Sequence, residues 1–190
     1  MGVDRAVLIT DRAFAGADTW STSYVLAAAI RCLGDVGLIV CGERATDGDT
    51  GQVGPGIAAF LDMPVVTYVS QLSIGGDGVG LLHRLTETGH EVLEVDLPAV
   101  LTVVKEVADP RLPTLRGKQR SRQLALSVLS AADLDVESSL LGLKGSPTRV
   151  VKIFRPKGSR ECEMICAVDD AGIAAAAERT VALLAEREAI

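Results

Sequence analysis

Aromatic side chains are scarce: one Trp, two Tyr and three Phe among 190 residues. The core must therefore be built from Val, Leu, Ile and Ala, and with 48% of the residues apolar there are enough of them. Long apolar runs are missing too, which excludes a bilayer-spanning helix of about 20 residues and predicts no membrane insertion. The first residues lack a secretory signal, because Asp4 and Arg5 come at once and no apolar stretch with a cleavage site follows. There is no excess of basic charge. The net charge of −6 argues against a nucleic-acid binder.

Cysteine is sparse and unpatterned. Cys32, Cys41, Cys162 and Cys166 read as reduced thiols of a cytoplasmic protein. Cys162 and Cys166 are spaced C-x3-C, which would suit a metal or a redox pair, yet no second Cys or His pair completes a four-ligand site. Catalytic motifs are absent as well: no Ser/His/Asp set, no H-E-x-x-H, and neither of the two standard glycine-rich phosphate fingerprints. These absences point to a cofactor that brings its own chemistry while the protein supplies position and electrostatics.

What is present is an alternation. "RAVLIT" (5–10), "GLIVCG" (37–42) and "PVVTYVSQLSI" (64–74) read as buried strands. Between them, "DTWSTSYVLAAAIRCLG" reads as a helix capped by Asp18 or Thr19 and stopped by Gly34, and "VGPGIAAFLD" as a helix with Pro55 in its first turn. Strand, helix, strand, helix, strand is the pattern of a parallel sheet with crossover helices. "GVGLLHRLTETGHEVLEVDLP" then predicts a β-hairpin turning at Thr86–Gly89, with His83 and His90 as exposed hairpin residues rather than metal ligands, and "PAVLTVVKE" a further buried strand. Residues 107–123 are basic and Pro-rich, a long loop or short basic helix that must expose Leu112 and Leu115. A Gly/Pro-rich extended tail from Gly142 and a terminal helix capped by Asp169 or Asp170 complete the chain. The predicted fold is α/β: a Rossmann-like parallel sheet with flanking helices, a β-hairpin insertion, and an extended C-terminal arm plus helix. A nucleotide-binding domain is expected over 1–142, and the arm and helix over 143–190.

In such sheets ligands bind beyond the carboxyl ends of the strands. Two loops qualify, "DRAFAGADT" and "GERATDGDTGQ". In the second, Gly48 and Gly51 let the backbone approach a ligand, successive N–H groups can form an anion nest, and the following helix N-terminus adds positive charge. Asp47 and Asp49 suit ribose hydroxyls. A nucleotide is one reading, and a plain Gly/Asp turn with a helix cap is the other.

Five stretches carry a family resemblance: "DRAFAGADTWSTSY", "CGERATDGDTGQVGPGIAAFLDMPVVTYV", "HRLTETGHEVLEVDLPAVLTVVKE", "DPRLPTLRG" and "GLKGSPTRVVKIF". In that order they resemble the beta subunit of electron transfer flavoproteins. The third holds a signature set of Arg84, Glu87, Glu91, Leu93 and Pro98. The resemblance implies a heterodimer with a larger alpha subunit that carries an FAD, and redox activity that needs that subunit. It implies a cofactor site made of Asp18, Thr19, Thr22 and Ser23 with Cys41, Gly42, Ala45, Asp47, Gly48, Asp49, Thr50, Gly51, Gln52 and Val53. It also implies that Ala108–Leu115 docks on an acyl-CoA dehydrogenase-type flavoprotein through Pro110, Arg111 and the apolar anchor Leu115, and that Gly145–Phe154 reaches towards the alpha subunit. "GADTWSTS" (16–23) is similar to the bifurcating type, which holds FAD in this subunit, takes hydride from NADH and serves ferredoxin or flavodoxin as a second acceptor. The alternative is a simple carrier with AMP in the same place. The family normally opens with a further strand-helix-strand-helix segment, and "MGVDRAVLIT" resembles an interior stretch of longer relatives, so the nucleotide domain is expected to be N-terminally incomplete.

Overall fold

The computed structural model describes residues 1–76, 78–154, 163–165 and 167–186. The chain forms two compact units, 1–150 and 151–190. In the first, strand β1 (Val7–Ile9) leads through helix α1 (Thr19–Leu33) to β2 (Leu38–Gly42), helix α2 (Val53–Leu61) and β3 (Val65–Ile74). Strands β4 (Val79–Thr86), β5 (Gly89–Asp96) and β6 (Ala99–Val103) follow, then helix α3 (Leu115–Gln123), β7 (Ser127–Leu129) and the single turn α4 (Gly142–Gly145). The second unit carries residues 151–154, without regular secondary structure, and helix α5 (Asp170–Glu186).

The α/β class holds, with parallel strands on one side of the main sheet and helices packed against them. Five strands run in the order β2-β6-β3-β4-β5. β2, β6 and β3 are parallel, and β4 and β5 are antiparallel. One expectation changes in detail: β1 joins no part of this sheet and pairs in parallel with β7. The further buried strand, β6, lies between β2 and β3. Parallel neighbours are joined by crossovers, so adjacency in sequence does not fix adjacency in the sheet.

β6 is the strand on which both faces close. Its side chains alternate between faces, so Val100 joins Ile39, Ile57 and Ala58 beneath the helices, while Leu101 joins Val66, Val69, Leu82 and Val95 on the other side. Residues 99–102 are all at most 1% exposed. The flanking strands are less enclosed, and Val40 on β2 is 54% exposed. The buried-on-both-faces reading thus fits β6 and not β2.

α1 spans two cores. Val25 and Ala29 pack with Leu134 and Leu141 next to Ile9 and Leu129 of the small sheet. Leu26 and Ile30 pack against Ile39 and Val100 of the large one. Asp18 caps it, accepting from the N–H groups of Trp20 and Ser21 at 3.0 Å each, and Gly34 ends it with φ 89°. α2 lies close on α1: a Cβ at Gly56 would meet the Ser23 hydroxyl, and one at Gly54 would meet Thr102. The β4–β5 hairpin turns at Thr86–Gly89, as its sequence predicts, and sets His83 opposite Val92 and His90 opposite Leu85. In the second unit, Asp169 caps α5 through Gly172 N–H at 2.7 Å, and Arg179 bonds Glu163 and Glu186. The tail expected to be extended from Gly142 first makes the single turn α4 (Gly142–Gly145). Cys162 and Cys166 lie outside the described residues.

Candidate functional site

β2 and β6 run side by side, and the chain leaving β2 forms the loop 43–52 that feeds α2. The loop is tied by Asp49 N–H to Ala45 O at 2.8 Å, and it turns through positive φ at Asp49 (51°) and Gly51 (63°). A side chain at Gly51 would be strained whatever the space around it. α2 then begins at Val53, and the preceding Gln52 makes no side-chain cap bond to it. Its first N–H groups have no partner within the helix, and its dipole leaves positive charge there.

Two helix N-termini meet at this point. The Thr19 hydroxyl of α1 donates to Gln52 Oε1 at 2.8 Å. Beside that bond opens a cleft of about 900 Å³, at the upper end of the ~300–1,000 Å³ usual for small-molecule sites. Its walls are 16–19 and Thr22 from the α1 side, 41–45 and 47–54 from the loop side, and 148–150 from the start of the arm.

Thirteen of the fourteen residues expected to hold a cofactor line this cleft: Asp18, Thr19, Thr22, Cys41, Gly42, Ala45, Asp47, Gly48, Asp49, Thr50, Gly51, Gln52 and Val53. Ser23 is the one that does not. It is 1% exposed, and its hydroxyl donates to Thr19 O at 2.6 Å and lies 3.2 Å from Val53 O. It joins the two helices. Asp18 lines the wall, but its carboxylate is engaged. One oxygen caps α1, and the other accepts from Thr148 N–H at 2.9 Å and the Thr148 hydroxyl at 2.8 Å. Asp18 N–H donates to the Ser146 hydroxyl at 2.8 Å. Burial works to raise the Asp18 pKa, yet the bonds from Ser21, Thr148 and Ser146 prevail and hold it below the usual 3.8.

Charge on the loop is mostly negative. Glu43, Asp47 and Asp49 face one cation, Arg44, whose Nε lies 3.3 Å from Asp49 and 3.6 Å from Glu43. Burial pushes the Cys41 thiol pKa up, so Cys41 is a neutral packing group at neutral pH. Sequence reasoning missed Thr148, Arg149 and Val150 on the wall, because "SPTRVV" reads as arm rather than site.

The predicted docking residues sit elsewhere. Pro110 and Arg111 lie in the irregular stretch before α3, and Arg111 Nε donates to Met1 O at 2.9 Å. Leu115 opens α3 and is 85% exposed, while Leu112 is 88% exposed. Thr114 caps the helix through Gly117 N–H at 3.0 Å, and Arg116, Lys118, Arg120 and Arg122 give it cations without an acid. Among the described residues, no cluster of three or more His, Cys, Asp or Glu could hold a metal, and no helix is long and apolar enough to cross a membrane.

Residues 1–134, from β1 through the hairpin to the stretch after β7, match the model of the electron transfer flavoprotein domain. The chain belongs to this family. It is 46% identical over 165 residues to an electron transfer flavoprotein subunit beta of Thermoanaerobacterium thermosaccharolyticum, a match covering 86% of this chain and 63% of that one. It is 45% identical to the caffeyl-CoA reductase-Etf complex subunit CarD of Acetobacterium woodii, covering 87% and 63%. It is 38% identical to the protein FixA of Azorhizobium caulinodans, covering 84% and 59%. The chain thus spans about three-fifths of the length of these flavoprotein-family relatives.

Proposed function

We propose that this chain acts as the beta subunit of an electron transfer flavoprotein, passing electrons in a heterodimer with an alpha subunit in the cytoplasm. The observation that carries this reading is the cleft where the α1 and α2 N-termini converge, in a chain similar to beta subunits. Its features fit an adenine nucleotide. The uncapped start of α2 and the left-handed turn at Asp49–Gly51 offer backbone N–H groups to a phosphate. The carboxylates of Asp47 and Asp49 suit ribose hydroxyls. Thr19, Thr22 and Thr50 add neutral donors and acceptors.

The nucleotide in this reading is FAD. The volume of the cleft, about 900 Å³, and the threonines at the start of α1 favour it over AMP. A flavin bound here would accept hydride from NADH and release electrons singly to two acceptors, which is the chemistry of bifurcation. The protein's own part is to hold and orient. Thr19 is fixed by Gln52, the Gly54 and Gly56 contacts set α2 against α1 and β6, and the negative loop 43–49 raises the cost of placing further negative charge beside it.

The exposed Leu112 and Leu115 beside the cations of α3 form the docking knob for an acyl-CoA dehydrogenase-type partner with an acidic face. Ferredoxin or flavodoxin is the second acceptor. Residues 145–154 reach towards the alpha subunit.

The deciding experiment is to co-express the chain with the alpha subunit, purify the complex and count FAD. Two FAD per heterodimer is the expected result. One FAD with AMP would make this a simple carrier, and one FAD with an empty cleft would remove the cofactor role from this chain.

A further inference from the structure

The loop side of the cleft presents a polyanionic ligand with more negative than positive charge, because Arg44 is already paired with Asp49 and Glu43. Backbone N–H groups alone must then offset both the loop carboxylates and the phosphate. One other cation lines the cleft, Arg149, on the arm side. Among the described residues no carboxylate forms an ion pair with it. Exposed arginine on an extended segment would ordinarily point anywhere. Here the segment is anchored one residue earlier: Thr148 gives both its N–H and its hydroxyl to Asp18 Oδ2. Two residues before that, Ser146 accepts from Asp18 N–H and donates to Gly142 O at 2.7 Å. One aspartate therefore caps α1 with one oxygen and fastens the base of the arm with the other.

We propose that Arg149 is the counter-charge for the phosphate of the nucleotide in this cleft, and that Asp18 is the positioning residue that delivers it there. This rests on the nucleotide reading given above. Arginine suits the role, since its planar fork can bind a phosphate with two parallel bonds and stays charged at any working pH. The arrangement gives Asp18 a task distinct from touching the ligand. It ties Thr148, next to Arg149, to the first turn of α1.

The test uses the full chain and three probes: FAD, AMP and adenosine. Arg149→Gln is an exposed change that leaves the core intact. It is expected to weaken FAD and AMP by roughly tenfold to a hundredfold, the range of one hydrogen bond to a charged group, and to leave adenosine unchanged. Arg149→Lys should recover part of the loss. Asp18→Asn, which still caps a helix but cannot accept from both Thr148 donors as a carboxylate does, should weaken FAD and AMP in the same sense and spare adenosine. If Arg149→Gln leaves AMP and FAD affinity unchanged while the parent chain binds them, the role of Arg149 is wrong and the nucleotide site stands. Equal losses for adenosine would reduce Arg149 to a packing residue. If the parent chain binds none of the three probes, the nucleotide reading itself falls. An effect of Arg149→Gln without any effect of Asp18→Asn would overturn the positioning half alone.

Discussion

Arg84 and Glu91 face each other across the β4–β5 hairpin, with the arginine Nε and one terminal nitrogen each 2.7 Å from Glu91 Oε2. Both belong to the signature stretch, yet neither lines the cleft. Their pairing lies across a hairpin that stands at the edge of the sheet. Both side chains are a third or more exposed, so solvent screens them. Arg84→Ala should cost under about 1 kcal/mol. Thermal unfolding of the two single variants and the double variant would measure the coupling, and cofactor affinity should not change.

Leu101 is a different case. It is 1% exposed at the centre of the large sheet, against Val66, Val69 and Leu82. Leu101→Ala removes apolar contacts and leaves a cavity, and should cost ~2–5 kcal/mol in denaturant unfolding. A loss below about 1 kcal/mol would mean that the sheet closes around the gap.

The proposed docking role of Leu112 and Leu115 can be tested apart from the fold. Leu112→Glu and Leu115→Glu replace side chains that are almost wholly exposed, so stability should change by less than about 0.5 kcal/mol. Electron transfer to the dehydrogenase should slow severalfold in stopped-flow measurements, with flavin content intact. Unchanged rates in both variants would remove the docking role from this loop.

Acid should open the arm. The Asp18 pKa in the folded chain lies below 3.8. A depressed carboxylate stabilises the fold above its unfolded pKa, and that contribution disappears as pH falls through the folded one. The clasp should therefore hold at neutral pH and fail only below about pH 4. Trp20, the sole tryptophan, sits in the capped first turn of α1 and reports on it by fluorescence. Asp18→Asn should abolish that acid step, and a step that survives in the variant belongs to another group.

Gly56→Ala tests the seat of α2. The added methyl group would press on the Ser23 hydroxyl. Destabilisation of ~1–3 kcal/mol is expected, with reduced cofactor occupancy because the helix N-terminus moves with its packing. Pairing it with Ser23→Ala, which removes the obstructing oxygen, should restore part of the stability.

Local signals in the sequence translated well into structure. Asp18 and Gly34 mark the ends of α1, the Thr86–Gly89 turn marks the hairpin, and the Gly/Asp loop after β2 lies on the cleft. Relations between distant segments did not. β7 has three residues, too few for a periodic pattern, so its pairing with β1 carried no signal. The insertion of β6 between β2 and β3 is a matter of crossover packing, which periodicity cannot express. Ser23 entered the expected site through the resemblance of "GADTWSTS", but position 23 faces α2 and its hydroxyl is spent between two backbone carbonyls. Arg149 was hidden in a tail whose composition speaks only of extension. Nothing in that composition discloses that Asp18, 130 positions earlier, would hold Thr148.

The double packing of α1 has an angular consequence. Val25 and Ala29 form one stripe and Leu26 and Ile30 the next, about 100° apart around the helix axis. Each stripe is seated on a different sheet. Any roll that deepens one contact lifts the other, so the helix sits like a keyed shaft between two bearings. Thr19 and Thr22 ride on the end of that shaft, and the direction in which their hydroxyls aim is set by residues one and two turns away.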